Sequence, residues 1–182
     1  AGGGRQFRRV RWGLVPSWAD DLAIGNRLIN ARSETAAEKP AFRAAFRKRR
    51  CLIPADGFYE WAKVNGAKQP YFIAMPGDRP FAFAGLWERW DPGDGGEPVE
   101  TCTILTAAAV EPVKPLHQRM PVILSPESYA RWLDPGLDAA ALKPILDSDQ
   151  ASRLTTRAVS KRVSNPANDA PDCLDPPASG SA

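Results

Sequence analysis

Hydrophobic and polar residues alternate along much of this chain, which is the pattern of half-buried β-strands. Near the N terminus, Val10, Trp12 and Leu14 alternate with polar or small residues. Further apolar runs follow between turn residues, and the Asn65-Gly66 pair between two of them predicts a hairpin. The pattern predicts strands near residues 50–53, 57–63, 71–75, 81–87, 101–106, 121–124 and 154–159.

Helical patterns are few and short. The first covers residues 40–47, where two phenylalanines stand four residues apart. A Ser-Pro pair at 125–126 predicts the start of the second, and a third is predicted near residues 138–147. Consecutive strands with a few helices between them predict an α+β fold with a mainly antiparallel β core.

The composition is that of one ordinary soluble domain, with 43% hydrophobic and 25% charged residues in a chain of 182. A chain of this length can bury a core without disulfide bonds. We expect a single domain over residues 1–165. From there to residue 182 the sequence is rich in Pro, Asp, Ser and Ala, which predicts a flexible tail over 166–182. No apolar stretch approaches the ~20 residues that span a bilayer, so no membrane association is expected.

The numbers of cysteines and histidines argue against a disulfide framework and a zinc site. Cys51, Cys102 and Cys173 make an odd number without CxxC spacing, which favours a reducing, cytoplasmic compartment over a disulfide framework. His117 is the only histidine, and four zinc ligands at suitable spacing cannot be assembled. The sequence contains no phosphate-binding loop and no dinucleotide fingerprint. We therefore expect neither a metal nor a cofactor.

Charge is distributed unevenly. Residues 1–50 carry 12 Lys or Arg against 4 Asp or Glu, whereas residues 51–182 carry 12 against 17. The cations of the first part concentrate in residues 5–11 and 43–50, with aromatic residues nearby. This distribution suggests a polyanionic partner such as nucleic acid. The alternative is that the cations at 47–50 only complement the C-terminal dipole of a helix.

Four segments carry polar residues that packing alone does not require. They read RWGLVPSW, LINARSET, ADGFYEW and LHQRMP. Taken singly, Asn30, Arg32, Glu60 and His117 each have an ordinary structural explanation as a turn former, a surface cation, a strand carboxylate and a loop histidine. Together with Arg119 they supply a carboxylate, an imidazole, an amide and two guanidiniums, which suits acid–base chemistry and anion binding. A Ser-His-Asp hydrolase is not indicated, because GxSxG is absent.

The period of a strand also assigns the side chains of the GFYEW segment to faces. Phe58 and Glu60 share one face, while Tyr59 and Trp61 share the other. The residues alone predict an acid–base pocket on a basic domain, and they do not name a reaction.

In this order, RWGLVPSW, INARSET, CLIPADGFYEW, ILTAAA and LHQRMPVIL resemble the SRAP family, the SOS-response-associated peptidases that include abasic-site processing proteins. The resemblance covers about residues 7–170, and GFYEW and HQRMP are its most specific motifs. It implies a mainly antiparallel, barrel-like β core with flanking helices and a positively charged groove for single-stranded DNA. It also implies two activities: a covalent crosslink to abasic sites and autocatalytic removal of the initiator methionine.

The resemblance carries roles over to individual positions. The catalytic positions that match the family motifs are Asn30, Glu60 and His117. The DNA-contacting positions are Arg32, Arg119, Trp18 and Trp61. Some members carry a second tryptophan after the first, where this chain has Ala19. Abasic single-stranded DNA is the implied partner, and we expect a monomer.

The nucleophile of the family is an N-terminal cysteine that follows the initiator methionine in a Met-Cys-Gly-Arg start. Here the sequence starts Ala1-Gly2-Gly3-Gly4, so we expect it to be a fragment of a longer protein. Two alternatives remain open. One is a non-catalytic module that binds single-stranded DNA, and the other is a cysteine hydrolase that pairs Cys51 or Cys102 with His117.

Overall fold

A computed structural model describes residues 4–93, 95–147 and 149–178. The strands in this part of the chain are β1 (Arg11–Trp12), β2 (Asn30–Arg32), β3 (Arg50–Ala55), β4 (Phe58–Val64), β5 (Ala67–Ala74), β6 (Phe81–Trp90), β7 (Val99–Ala108), β8 (Arg119–Pro121), β9 (Ile123–Leu124) and β10 (Thr155–Ala158). The α-helices are α1 (Arg43–Lys48), α2 (Tyr129–Leu133) and α3 (Ala139–Leu146). Short 3₁₀ turns include Leu22–Arg27, Lys161–Ser164 and Pro171–Leu174. No helix in the described ranges combines the length and the apolar character that crossing a membrane requires.

The larger sheet is built around β7. Strands β1 and β2 pair with one side of β7 in parallel, while β6 and β8 pair with it in antiparallel orientation. β3 and β9 then pair with β6. Val122 lies between β8 and β9, and its main chain bonds to Leu105 of β7 and Ala84 of β6. The chain from β8 to β9 therefore pairs first with β7 and then with β6.

The smaller sheet has the order β10-β5-β4 and is antiparallel throughout. Asn65 and Gly66 join β4 to β5 with φ values of 49° and 83°, which is the left-handed pair that a tight hairpin turn requires. β3 of the larger sheet leads into β4 through Gly57. A Cβ atom at Gly57 would lie 2.2 Å from the Phe72 ring, so only glycine allows the chain to pass between the sheets here.

Two apolar clusters hold the site-bearing strands in place. The helices pack on the larger sheet around Trp132 and Leu105, which are fully buried. A second cluster, which includes Ile73 and Phe83, joins the two sheets. Phe58 of β4 packs edge-on against Phe83, with the ring centroids 5.8 Å apart. β4 is thus fixed against the larger sheet.

The α+β class and the mainly antiparallel core are confirmed. The described strands form two open sheets rather than a closed barrel, because the chain changes sheet at Gly57. Strands β6 and β7 are longer than the sequence pattern predicts, because their pairing continues to Trp90 of β6 and Val99 of β7. β1 is shorter than its alternating pattern, because only Arg11 and Trp12 pair with β7.

Residues 166–178, which belong to the predicted tail, lie against the preceding 3₁₀ turn. The main-chain nitrogen of Ser160 donates to Asp175 at 2.7 Å, and Arg162 pairs with Asp172 at 3.0 Å. Cys173 is 5% exposed. An ion pair and one buried side chain thus belong to a segment whose composition is that of a loop. Residues 179–182 lie outside the described ranges.

Candidate active site and nucleic-acid groove

Glu60 and His117 approach each other from different parts of the fold. Glu60 lies in β4 of the smaller sheet, and His117 lies in the loop between β7 and β8 of the larger sheet. Glu60 Oε1 is 3.8 Å from His117 Nδ1, and the two side chains are 22% and 51% exposed. A carboxylate and an imidazole that are far apart in sequence therefore form one partly buried pair that solvent and a ligand can reach.

The direction of Glu60 follows from its neighbours in β4. Tyr59 packs against Phe72, with ring centroids 5.3 Å apart, and the Trp61 indole nitrogen donates to Ser164 Oγ at 3.0 Å. Phe58 packs against the larger sheet on the other side. Because side chains alternate along a strand, Glu60 shares the face of Phe58, as the sequence pattern predicts.

Burial raises the pKa of Glu60 above the usual range of a glutamate. The nearby His117 and a hydrogen bond from the main-chain N–H of Trp61 oppose this shift, but burial is the larger effect. A carboxylate whose ionised form is poorly solvated holds a proton more readily than an exposed one. Glu60 is therefore suited to accept and release protons at the site.

The main chain of Arg119 holds the His117 ring. Nδ1 of His117 lies 2.8 Å from the main-chain oxygen of Arg119 and 3.1 Å from its main-chain nitrogen. When Nδ1 carries a proton it can donate to the oxygen, and when it does not it can accept from the nitrogen. His117 also donates its main-chain N–H to Val113, which is fully buried. The ring thus keeps a partner in either protonation state, on a loop anchored in the core.

The Arg119 side chain forms a bidentate pair with Glu34. Nη1 and Nη2 donate to the two carboxylate oxygens at 2.6 and 2.9 Å, and Nη2 also donates to the main-chain oxygen of Thr106. Hydrogen bonding from Arg119 lowers the pKa of Glu34, and this outweighs the opposing effect of burial. Sequence reasoning missed Glu34, although it lies in the INARSET segment. Its place in the INARSET segment was the only feature that could have drawn attention to it, and no local pattern pairs it with Arg119.

A groove lies near Glu34, because Arg32 and Thr35, its neighbours in the chain, line it. Its volume is about 430 Å³, and Trp18, Asn30, Arg32 and Lys39 are among the residues that line it. Asn30 and Arg32 point outward from β2 on either side of the buried Ala31. The indole of Trp18 is 59% exposed. The groove combines exposed cations, an amide and an aromatic face, which suits a single nucleic-acid strand.

The groove and the Glu60–His117 pair are joined at the end of β7. The main-chain oxygen of Thr106 accepts from both Ser33, which follows Arg32, and the Arg119 side chain. Glu60, His117, Arg119 and Glu34 form a continuous set of contacts from one sheet to the other. Among the described residues no hydrogen bond links Asn30 to this set, so the structure places Asn30 in the groove.

Trp61 is not brought to the pair. It lies on the opposite face of β4 from Glu60, where its indole bonds to Ser164 and its ring stands 6.3 Å from Tyr59. The sequence pattern itself assigns Trp61 to this face. A contact between Trp61 and DNA therefore has to be made away from the Glu60–His117 pair.

The cysteines do not form a nucleophilic site with His117. Burial, followed by the nearby Cys102, raises the pKa of Cys51 to about 12, and burial also raises that of Cys102. Thiols with raised pKa values are poor nucleophiles at neutral pH. Cys173 lies in the folded C-terminal segment, with its Sγ directed to Asn168. The geometry thus disfavours a cysteine hydrolase built on Cys51 or Cys102.

Comparison with known proteins identifies the family of this chain. The family description "SOS response associated peptidase (SRAP)" matches residues 1–166. Abasic site processing protein YoqW of Bacillus subtilis is 41% identical over 176 residues, which cover 96% of this chain and 78% of YoqW. Abasic site processing protein HMCES of Gallus gallus is 37% identical over 200 residues, covering 94% of this chain and 58% of HMCES.

A solved structure gives the same result at the level of the fold. The crystal structure of a protein from Bacteroides thetaiotaomicron superposes with a TM-score of 0.83 and 31% sequence identity. The superposition covers 91% of this chain and 74% of that protein. The match to the family over nearly the whole chain shows that this protein belongs to the SRAP family.

Proposed function

We propose that this protein is an abasic-site processing protein that binds single-stranded DNA and captures the abasic sugar covalently at the Glu60–His117 pair. Its relatives YoqW and HMCES are named abasic site processing proteins. The observation that carries the proposal is the 3.8 Å approach of Glu60 to His117, which contacts at Thr106 connect to a groove whose lining includes Arg32 and Lys39. A proton acceptor and a proton donor thus stand beside a surface suited to a polyanion.

The ring-opened abasic sugar presents an aldehyde. The family resemblance implies attack by the α-amine of an N-terminal cysteine, which forms a Schiff base and releases water. The thiolate of the same cysteine then adds to the carbon of the C=N bond, and the nitrogen takes up a proton, which closes a thiazolidine ring. None of the three cysteines in this sequence supplies such an aminothiol, so the reaction needs that terminal residue.

Glu60 and His117 divide the proton transfers of this reaction. Glu60 accepts a proton from the terminal ammonium group, since the amine attacks only when it is neutral. Its raised pKa makes it a stronger base than an exposed glutamate. His117 donates a proton to the ring oxygen of the sugar as the ring opens and the anomeric hydroxyl gives its proton to water, because an imidazole nitrogen can both hold and release a proton. The same two groups serve the removal of an initiator methionine, which also needs an acceptor and a donor.

The groove residues position the strand. Arg32 and Arg119 hold the phosphates that flank the abasic site, and Trp18 stacks on an exposed base. Asn30 donates and accepts hydrogen bonds to the sugar oxygens. A strand that already lacks a base fits best, because no base pair has to be broken.

A denaturing gel tests the proposal. Protein with a Met-Cys-Gly-Arg start is mixed with abasic or intact single-stranded DNA, and the adduct is followed over time. We expect an adduct only with abasic DNA, and none from the chain that starts at Ala1. Glu60→Gln should slow the adduct by about 10²–10⁴-fold, the usual contribution of a positioned acid–base group, and leave DNA affinity nearly unchanged. Glu127→Gln, at an exposed glutamate, is the matched control.

Three outcomes would contradict parts of this mechanism. An equal adduct from the Ala1 chain would exclude the terminal cysteine as the nucleophile. If Glu60→Gln forms the adduct at the wild-type rate, Glu60 has only a structural role in β4. Tight binding to abasic DNA without any adduct would favour the second candidate, a non-catalytic module for single-stranded DNA, for which the groove alone is sufficient.

A further inference from the structure

The basic segment 43–50 is divided by the fold into inward and outward cations. Arg49 pairs with the buried carboxylate of Glu88. Arg50 is 7% exposed and donates to main-chain oxygens, including that of Trp132 at 2.7 Å. These two arginines serve the core and are not available to a ligand.

The outward cations follow one side of α1 and of the turn that precedes it. Lys39, Arg43 and Arg47 are four residues apart, and the main-chain nitrogen of Arg43 donates to Lys39 at 2.8 Å as in a helical turn. Residues with this spacing lie on the same helix face. All three are exposed, and none forms an ion pair with a carboxylate of the described residues. We call these three residues the basic strip.

The basic strip begins at the groove. Lys39 lines the groove together with Trp18 and Arg32. At 1.5 Å per residue in α1, Arg43 and Arg47 are about 6 Å apart along the helix, and Lys39 lies in the turn that precedes them. That spacing is comparable to the separation of neighbouring phosphates in an extended single strand.

The helix dipole does not explain this arrangement. Cations are favourable near the C-terminal end of a helix, where Arg47 and Lys48 lie. Arg43 is the first residue of α1, where a cation is unfavourable, and no acidic residue lies in that first turn. The dipole therefore gives no reason for a cation at Arg43, whose exposed side chain is free of ion pairs in the described part of the chain.

We propose that the basic strip binds the phosphates of the DNA strand where it leaves the groove, so that α1 extends the DNA-binding surface beyond the abasic site. The inference rests on the proposed function, because it assumes that a single strand occupies the groove. The strip reads no bases, since phosphate contacts carry no sequence information.

The test measures the salt dependence of binding for two strand lengths. Fluorescence anisotropy gives the affinity of the chain that starts at Ala1, which should form no adduct, for abasic oligonucleotides of about 4 and about 16 nucleotides, which bracket the usual size of single-strand sites. Each phosphate contact contributes about 0.7 to the slope of log K against log salt for a single strand. Arg43→Gln/Arg47→Gln should reduce the slope for the long strand by about 1.4 and leave that for the short strand unchanged.

Arg79→Gln/Arg153→Gln is the matched control, because both arginines are exposed and form no ion pair in the described part of the chain. It removes the same charge and should change neither slope. An unchanged slope for the long strand in the strip variant, or an equal loss in the control, would overturn the inference. If the wild-type protein binds neither oligonucleotide, the proposed function itself fails. Thermal unfolding confirms that both variants are folded.

Discussion

Two glutamates flank the His117–Arg119 segment, and their surroundings shift their pKa values in opposite directions. Glu60, on the side of the smaller sheet, is partly buried, and burial raises its pKa. Glu34, on the side of the groove, accepts two hydrogen bonds from Arg119, which lower its pKa. A carboxylate with a raised pKa is suited to proton transfer, whereas one fixed by an arginine is suited to holding a side chain in place. One segment thus joins a reactive glutamate to a structural one.

The largest difference should appear in the rate of adduct formation. Glu60→Gln removes a proton acceptor and should cost about 10²–10⁴-fold. Glu34→Gln leaves the acid–base pair intact but replaces a charged bidentate contact with a weaker one, so we expect a loss of about tenfold, which corresponds to ~1.4 kcal/mol.

Single-turnover rates at saturating abasic DNA give both values. DNA affinity should not fall in Glu34→Gln, because the change removes a negative charge beside the phosphate-binding arginine. Glu38→Gln, at an exposed glutamate four residues further along the chain, is the control and should react at the wild-type rate. Equal losses of the adduct rate in Glu60→Gln and Glu34→Gln would contradict the assignment of one glutamate to proton transfer and the other to a structural role.

A smaller difference should appear in the pH dependence of stability. Because the folded state raises the pKa of Glu60, its ionised form costs stability as pH rises through that pKa, and Glu60→Gln should be the more stable protein at neutral pH. Because the folded state lowers the pKa of Glu34, that residue stabilises the protein above the ordinary glutamate range, and Glu34→Gln should be the less stable one.

Both differences should shrink as pH falls to about 4, where the glutamates take up protons. The Glu34 side chain is half exposed, and solvent screens its pair with Arg119. We expect each variant to differ from the wild type by no more than ~1 kcal/mol in its free energy of unfolding. For a domain of this size that is about 2–4 °C in the thermal midpoint. Unfolding curves at both pH values measure it, and shifts of the same sign in the two variants would contradict the assignment.

Local sequence patterns singled out Glu60 but not Glu34. Strand alternation gave the face of Glu60, and the GFYEW and HQRMP motifs singled out Glu60 and His117, because period and motif are properties of neighbouring residues. The pair of Glu34 with Arg119 joins positions 85 residues apart, and nothing in the local pattern of either residue specifies the other.

The same limit explains the other differences between sequence and structure. The basic run at 43–50 does not reveal that Arg49 and Arg50 point inward, because their partners Glu88 and Trp132 lie in distant elements. Composition likewise does not reveal that residues 166–178 contact the preceding turn, for example through Arg162 and Asp172. The fold class and the positions of most strands follow from periodicity, but the pairing of strands and of side chains follows from the three-dimensional fold.

The most direct test of the central role of Glu60 is the rate of adduct formation on abasic single-stranded DNA as a function of pH, measured for the wild-type protein and for Glu60→Gln. Effects of pH on the DNA substrate are common to both proteins, so the ratio of the wild-type rate to the Glu60→Gln rate reports Glu60 together with its partner His117. The ratio should be large at neutral pH and fall toward one as pH drops through the raised pKa of Glu60, because the wild-type carboxylate then becomes protonated. A ratio that stays constant across this range, or equals one throughout, would contradict Glu60 as the proton acceptor.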